Sequence, residues 1–208
     1  YETDANDVFF VRVDKNRKMP VTTLIRALGL GTDEEILDFF GDDERMVATI
    51  ARDNTKNQEA ALLEVYRKLR PGEPPTVESS QSHLEGLFFD PRRYDLSRVG
   101  RYKYNKKLAI GARITGQTVA EPVINPLTGE LMADEGETLS KAKALEIERA
   151  GVDTVWLDVE GVRVKVISNG MVNLTDFIPV EDPSELGINE KVRFSVVREI
   201  MDATDDLE

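Results

Sequence analysis

The chain has 208 residues, of which 40% are hydrophobic and 32% charged, with no cysteine and one histidine. Without cysteine there are no disulfides, thiolate metal sites or cysteine nucleophiles, and a single histidine rules out a histidine-rich zinc site. The net charge of -12 is lopsided: residues 1–110 carry 18 basic and 19 acidic side chains, residues 111–208 only 9 basic and 20 acidic.

This length suits one large domain or two small ones. No apolar run approaches the roughly 20 residues that a membrane helix needs, and no signal peptide opens the chain. It starts at Tyr1 rather than methionine, which is expected of a piece excised from a longer protein, and Leu207 and Glu208 are set aside as a cloning scar.

In chain order, "DVFFVRV" (Asp7–Val13) has the aromatic and β-branched content of a strand. "MPVTTLIRALGLG" predicts a helix with Pro20 near its start and Gly29 past its end. "TDEEILDFFG" sets Thr32 three residues before Glu35, the spacing of a capping box, with Gly41 as terminator. In "NQEAALLEVYRKLRPGEPP", Ala61, Leu62, Val65, Tyr66 and Leu69 share one helical face, and Pro71, Pro74 and Pro75 stop the helix. A further helix is expected from Val77 to Phe89, capped by Thr76.

"RRYDLSRVGRYKYNKK" (Arg92–Lys107) then gathers seven basic side chains against Asp95, without a clean period. From Gly116 short β-rich runs alternate with turn signals. "NPLTGE" (Asn125–Glu130) and "SNGM" (Ser168–Met171) are hairpin candidates, the second for its Asn-Gly pair. "SKAKALEIERAG" predicts a helix from a Ser140 cap to Gly151. "EKVRFSVVREIMD" fits strand or helix equally. The expected fold is α+β: a mainly helical body with a leading strand over residues 1–110, and a small, acidic, β-rich, barrel- or sandwich-like subdomain over 111–206.

His83 sits mid-helix and reads as an ordinary helix-face histidine. "GLGTDEE" lacks the lysine and hydroxyl spacing of a phosphate loop. The carboxylates of "DDER" and "ADEGE" read as solvated surface, so neither a catalytic nor a metal-binding set emerges. Three basic segments stand out: "RVDKNRKMP", "RKLRPGEPPT" and the Arg92–Lys107 strip. Arginine and lysine on rigid elements suit phosphate contact, and the tyrosines suit base stacking. The competing possibility is that arginine stems cover apolar surface and the tyrosines fill a core.

"FFVRVDKNRKMPVTTLIRALG", "LLEVYRKLRPGEPPTVE", "LFFDPRRYDLSRVGRYKYNKKL" and "AEPVINPLTGELMADEG", in this order, closely resemble the β-subunit family of bacterial DNA-directed RNA polymerases. The resemblance runs from about Asp7 to Ala203 and falls on the lobe, the subunit's second domain. It implies a wall of the main DNA channel near the downstream fork, helping to hold the strands of the transcription bubble apart. It also implies a cytoplasmic protein whose partners are DNA, the β′ and α subunits and sigma factor. Nucleotidyl transfer and its magnesium would belong to another subunit, leaving no catalytic residue or cofactor in this chain. The family positions that approach DNA fall on Asp14, Lys15, Arg17, Arg70 and Arg93. At Lys15 and Asn16 the chain departs from a common arginine-rich pattern, and lysine does not reproduce an arginine fork. Arg98–Lys107 is expected to lead into the second subdomain, with its stems and tyrosines packed at the join. The alternative is a protein-interaction module whose basic strip docks an acidic partner or a neighbouring domain.

Overall fold

Three short antiparallel strands open the chain: β1 (Glu2–Thr3), β2 (Phe9–Val11) and β3 (Met19–Pro20). Phe10 pairs with Glu2 on one side and Pro20 on the other. A computed structural model describes residues 1–94, 97–180 and 182–204. Asp95 and Leu96 of the basic strip, the side chain of Tyr94 and the last residues of the expected second subdomain lie outside the described residues. The strand expected over Asp7–Val13 is shorter because only residues 9–11 find ladder partners.

The helices follow from their caps. Pro20, with φ near -52, precedes α1 (Val21–Ala27). At α2 (Asp33–Phe40) the expected capping box forms: Thr32 N donates to Glu35 Oε2 at 2.8 Å, and Glu35 N donates to Thr32 Oγ1 at 3.1 Å. α3 (Glu44–Arg52) has no counterpart among the expected helices; Asp43 caps it, accepting from Arg45 N at 2.9 Å, and Met46, Thr49 and Ile50 form its buried face. α4 (Gln58–Leu69) buries Ala61, Leu62 and Val65, while Tyr66 and Leu69 are half-buried. α5 (Val77–Phe88) starts at a Thr76–Ser79 capping box, and α6 (Pro91–Tyr94) is a single turn. The core joins Val11, Val13 and Met19 to Leu24, Leu62, Val65 and Leu84. Each such side chain contributes about 1.5–3 kcal/mol when fully buried.

By contacts the chain divides into two compact units, Tyr1–Asp95 and Leu96–Glu208. The composition boundary at 110/111 falls inside a helix of the second unit. That unit begins with α7 (Arg98–Leu108), capped by Ser97 and without one buried residue. A helix with no fully buried residue leaves no clear hydrophobic period to read. α8 (Ile110–Ile114) buries Ile110, Gly111 and Ile114.

The β-rich part is a set of antiparallel ladders. β4 (Thr118–Val119), β5 (Val123–Ile124) and β6 (Leu131–Ala133) precede α9 (Lys141–Arg149). β7 (Thr154–Val159), β8 (Val162–Ile167), β9 (Met171–Val172), β10 (Val192–Arg193) and α10 (Phe194–Thr204) complete the unit. The strand orders are β4-β7-β8, β5-β6 and β10-β9. The Asn125–Glu130 hairpin forms as expected, with Asn125 Oδ1 accepting from Leu127 N and Thr128 N.

The Ser168–Met171 hairpin does not form: β9 pairs with β10, and β8 with β7. The two-residue turn is instead Glu160-Gly161, both left-handed at φ 55 and 82, as a hairpin matched to strand twist requires. The ambiguous "EKVRFSVVREIMD" is strand first and helix after. Ile110, Ile114, Val119, Leu139, Ile147 and Val155 share the core of this unit.

Candidate nucleic-acid interface

The β2–β3 hairpin ends in a turn closed by Asn16 N donating to Val13 O at 3.0 Å. Its two central residues, Asp14 and Lys15, are left-handed at φ 51 and 62. Aspartate tolerates that region, whereas lysine takes it at a cost of about 1–2 kcal/mol. Val11, Val13 and Met19 anchor the hairpin in the core, and Asp14, Lys15 and Arg17 stand exposed. The neighbouring cations are engaged: Arg12 Nε donates to Glu2 Oε1 at 2.8 Å, and the Lys18 ammonium lies 4.4 Å from the Phe10 ring centre. Among the described residues no ion pair takes up Lys15 or Arg17. The turn therefore projects two unengaged cations on a strained, anchored loop.

Arg70 caps the end of α4, its amide bonded to Tyr66 O at 2.7 Å. The side chain is 54% exposed and reaches Glu73 Oε1 at 3.4 Å, while the Tyr66 hydroxyl donates to Glu73 Oε2 at 2.8 Å. That bond to a carboxylate raises the Tyr66 pKa above its ordinary value. His83 packs edge-on to Tyr66 with ring centres 5.6 Å apart, the helix-face role expected of it. Glu73 thus fixes the turn after α4 and partly neutralises Arg70.

Arg93 lies exposed on α6, whose start is held by Asp90 Oδ1 accepting from Arg92 N at 3.0 Å. All five expected residues fall in the first unit. The hairpin turn brings Asp14, Lys15 and Arg17 together. Among the described residues, no direct bond or ion pair links Arg93 to Arg70 or to the turn. In the second unit Tyr102 and Tyr104 are 64% and 55% exposed, so they do not fill a core. Arg101 is paired with Glu190 at 2.6 Å.

Composition gave no sign of the group that holds this face in place. Asp53 is buried at the junction of α3 and α4. It accepts from Thr22 Oγ1 at 2.7 Å, Thr23 Oγ1 at 3.0 Å, Thr55 N at 2.8 Å and Thr55 Oγ1 at 2.7 Å. Arg26 Nε adds a bond to Oδ2 at 3.3 Å, and Arg26 also donates to Gly31 O at 2.7 Å and to Asp33. Burial pushes the Asp53 carboxyl up, but the bonds from Thr55, Thr22 and Thr23 outweigh it and leave the pKa below the ordinary value. Because α1 follows β3 directly, this network ties the base of the hairpin to the segment that joins α3 to α4 and to the start of α2. Phe9 N, bonded to the buried Thr49 Oγ1 at 2.9 Å, adds a second tie from β2 to α3.

No group of three or more acidic or histidine side chains that could hold a metal occurs among the described residues. No described helix is long and apolar enough to cross a membrane.

The model of the family described as RNA polymerase Rpb2, domain 2, matches residues 1–121. The chain is 56% identical over 202 residues to the DNA-directed RNA polymerase subunit beta of Acetivibrio thermocellus, covering 97% of this chain and 16% of that protein. It is 54% identical, with the same coverage, to the proteins of that name from Clostridium botulinum strain Hall and Clostridium novyi strain NT. The chain therefore spans 16% of the length of these curated relatives.

Proposed function

This chain belongs to the RNA polymerase Rpb2, domain 2 family, and from that premise we propose that it is the lobe of a polymerase β subunit, lining the main DNA channel. It holds downstream and bubble DNA by contacts to phosphates, with base preference confined to a few positions at the fork. It carries no catalysis of its own. Nucleotidyl transfer and its magnesium lie elsewhere in the assembly, whose β′, α and sigma components are its protein partners in the cytoplasm. The whole assembly is a nucleotidyltransferase, and this part serves it as a DNA-binding wall.

The observation that carries this reading is the hairpin turn: Lys15 and Arg17 stand exposed, without ion-pair partners among the described residues, on a loop anchored by Val11, Val13 and Met19. The left-handed pair Asp14-Lys15 is what a tight hairpin turn requires, and it sets Lys15 and Arg17 at the tip of an anchored loop. Arg70 and Arg93 add exposed cations at the end of α4 and on α6.

The test is an anisotropy titration of the chain against a labelled DNA duplex at low salt. Three or four phosphate contacts give a log–log salt slope of about -3 to -4. Arg70→Glu and Arg93→Glu should each weaken binding. Binding indifferent to both substitutions and to Lys15 and Arg17 would overturn the assignment of these contacts.

A further inference from the structure

The hairpin that presents Lys15 and Arg17 and the helix that ends at Arg70 share a cleft of about 430 Å3 within the first unit. Phe10 and Pro20 line it from the hairpin, Arg67 and Lys68 from α4, and Arg52 from the last turn of α3. Two carboxylates also reach it, Asp53 and Glu64. Asp53 is occupied by Arg26 and the threonines and offers nothing free to the cleft. Glu64 is divided between Arg67 at 3.4 Å and Lys68 at 3.3 Å. Long pairs of this kind on partly exposed helix faces contribute well under about 1 kcal/mol, so an incoming anion can exchange for Glu64. Arg52 is exposed and has no ion-pair partner among the described residues. The cleft therefore holds an excess of positive charge beside an aromatic ring, itself covered by the Lys18 ammonium.

We propose that this cleft is a further nucleic-acid site, in which Arg52, Arg67 and Lys68 take backbone phosphates next to those held by the hairpin turn and Arg70. Cations on the last turn of α3 and along one face of α4, gathered around one cleft, are an arrangement that takes successive phosphates of a nucleic-acid backbone. Arg52 is the principal contact, since it binds phosphate without first releasing a carboxylate. The proposal rests on the DNA-channel reading and adds to it a site that reading does not include.

The experiment compares the chain with its Arg52→Ala, Arg52→Lys and Lys68→Ala variants, using a labelled DNA duplex and, separately, a labelled polyglutamate peptide. Arg52 is exposed, so thermal melts should show each variant folded. Arg52→Ala should weaken duplex binding about three- to tenfold and reduce the salt slope by about 0.9, the loss of one phosphate contact. Arg52→Lys should keep most of the affinity, and Lys68→Ala should fall between. If Arg52→Ala and Lys68→Ala bind duplex like the parent while Arg70→Glu does not, the cleft site is overturned and the channel reading stands. If Arg52→Ala weakens binding while Arg70→Glu and Arg93→Glu do not, the cleft stands and the other contacts are reassigned. Absence of any duplex binding overturns both, and an effect of Arg52→Ala on the peptide alone makes the cleft a protein-docking site.

Discussion

Arg26 and Asp53 form an ion pair in the interior of the first unit, Nε to Oδ2 at 3.3 Å, with both side chains 1% exposed. Every oxygen of that carboxylate has partners, and the pair joins the helix that follows the hairpin to the junction of α3 and α4. Buried charge is tolerated only when it is so completely bonded. The pair therefore acts as a clamp on the face that presents the candidate DNA contacts.

Breaking the clamp should be expensive. Asp53→Ala leaves the buried Arg26 guanidinium with only the half-exposed Asp33 as counterion and strips Thr22, Thr23 and Thr55 of their acceptor, and removal of one partner from such a pair destabilises by about 3–5 kcal/mol. The folded pKa of Asp53 lies below its ordinary value. Its contribution is therefore full above the ordinary carboxylate range and lost as pH falls through the lowered folded value. Thermal melts across an acid series should show a stability loss at low pH that is smaller in Asp53→Asn than in the parent.

Lys15 presents a separable trade. Lys15→Gly relieves the left-handed strain and should raise stability by about 1 kcal/mol, yet it removes a cation aimed outward. Denaturant titration and DNA anisotropy on the same variant should move in opposite directions. A structural role alone would not weaken DNA binding.

Glu73 restrains Arg70. Glu73→Gln removes the carboxylate that both Arg70 and Tyr66 reach. Since an exposed pair contributes about 0.2–1 kcal/mol, DNA affinity should rise between about 1.4- and fivefold. The same change should return the Tyr66 phenol toward its ordinary pKa, which ultraviolet titration reads directly, because the bond it donates to Glu73 is the main cause of the upward shift.

The second unit has its own weak point. Gly151 sits at φ 76, and a Cβ there would come within 2.7 Å of Cδ2 of Phe194. Gly151→Ala combines left-handed strain with overpacking against the first residue of α10, for a loss of about 2–4 kcal/mol. Trp156, the chain's single tryptophan, lies on β7 of this unit, so its fluorescence should report an earlier unfolding transition.

Local signals carried much of the fold. The Thr32 and Thr76 caps, the Ala61-Leu62-Val65 face and the Asn125–Glu130 turn are written in neighbouring residues, and each forms where expected. Asn169-Gly170 carries the same kind of signal but makes no hairpin, because β9 finds β10 across a long loop, a pairing that no local signal records. α3 was hidden in an acidic stretch whose buried stripe is only Met46, Thr49 and Ile50, and α7 has no fully buried residue. The candidate site shows in the sequence only as charge, in Lys15, Arg17, Arg70 and Arg93. It was not legible as mechanism, since Arg26, Asp53, Glu73 and Arg52 take their meaning from partners distant in sequence or across a turn.

The central claim, that this unit faces DNA in an assembled polymerase, is tested most directly by site-specific photocrosslinking. A photoreactive residue is placed at Arg17, at Arg70 or at the exposed Leu145 of α9 in a β subunit that carries this chain, assembled with its partners on a DNA bubble. The account predicts crosslinks to DNA from positions 17 and 70 and none from 145. Crosslinks from 145 alone, or only to protein from 17 and 70, would contradict it.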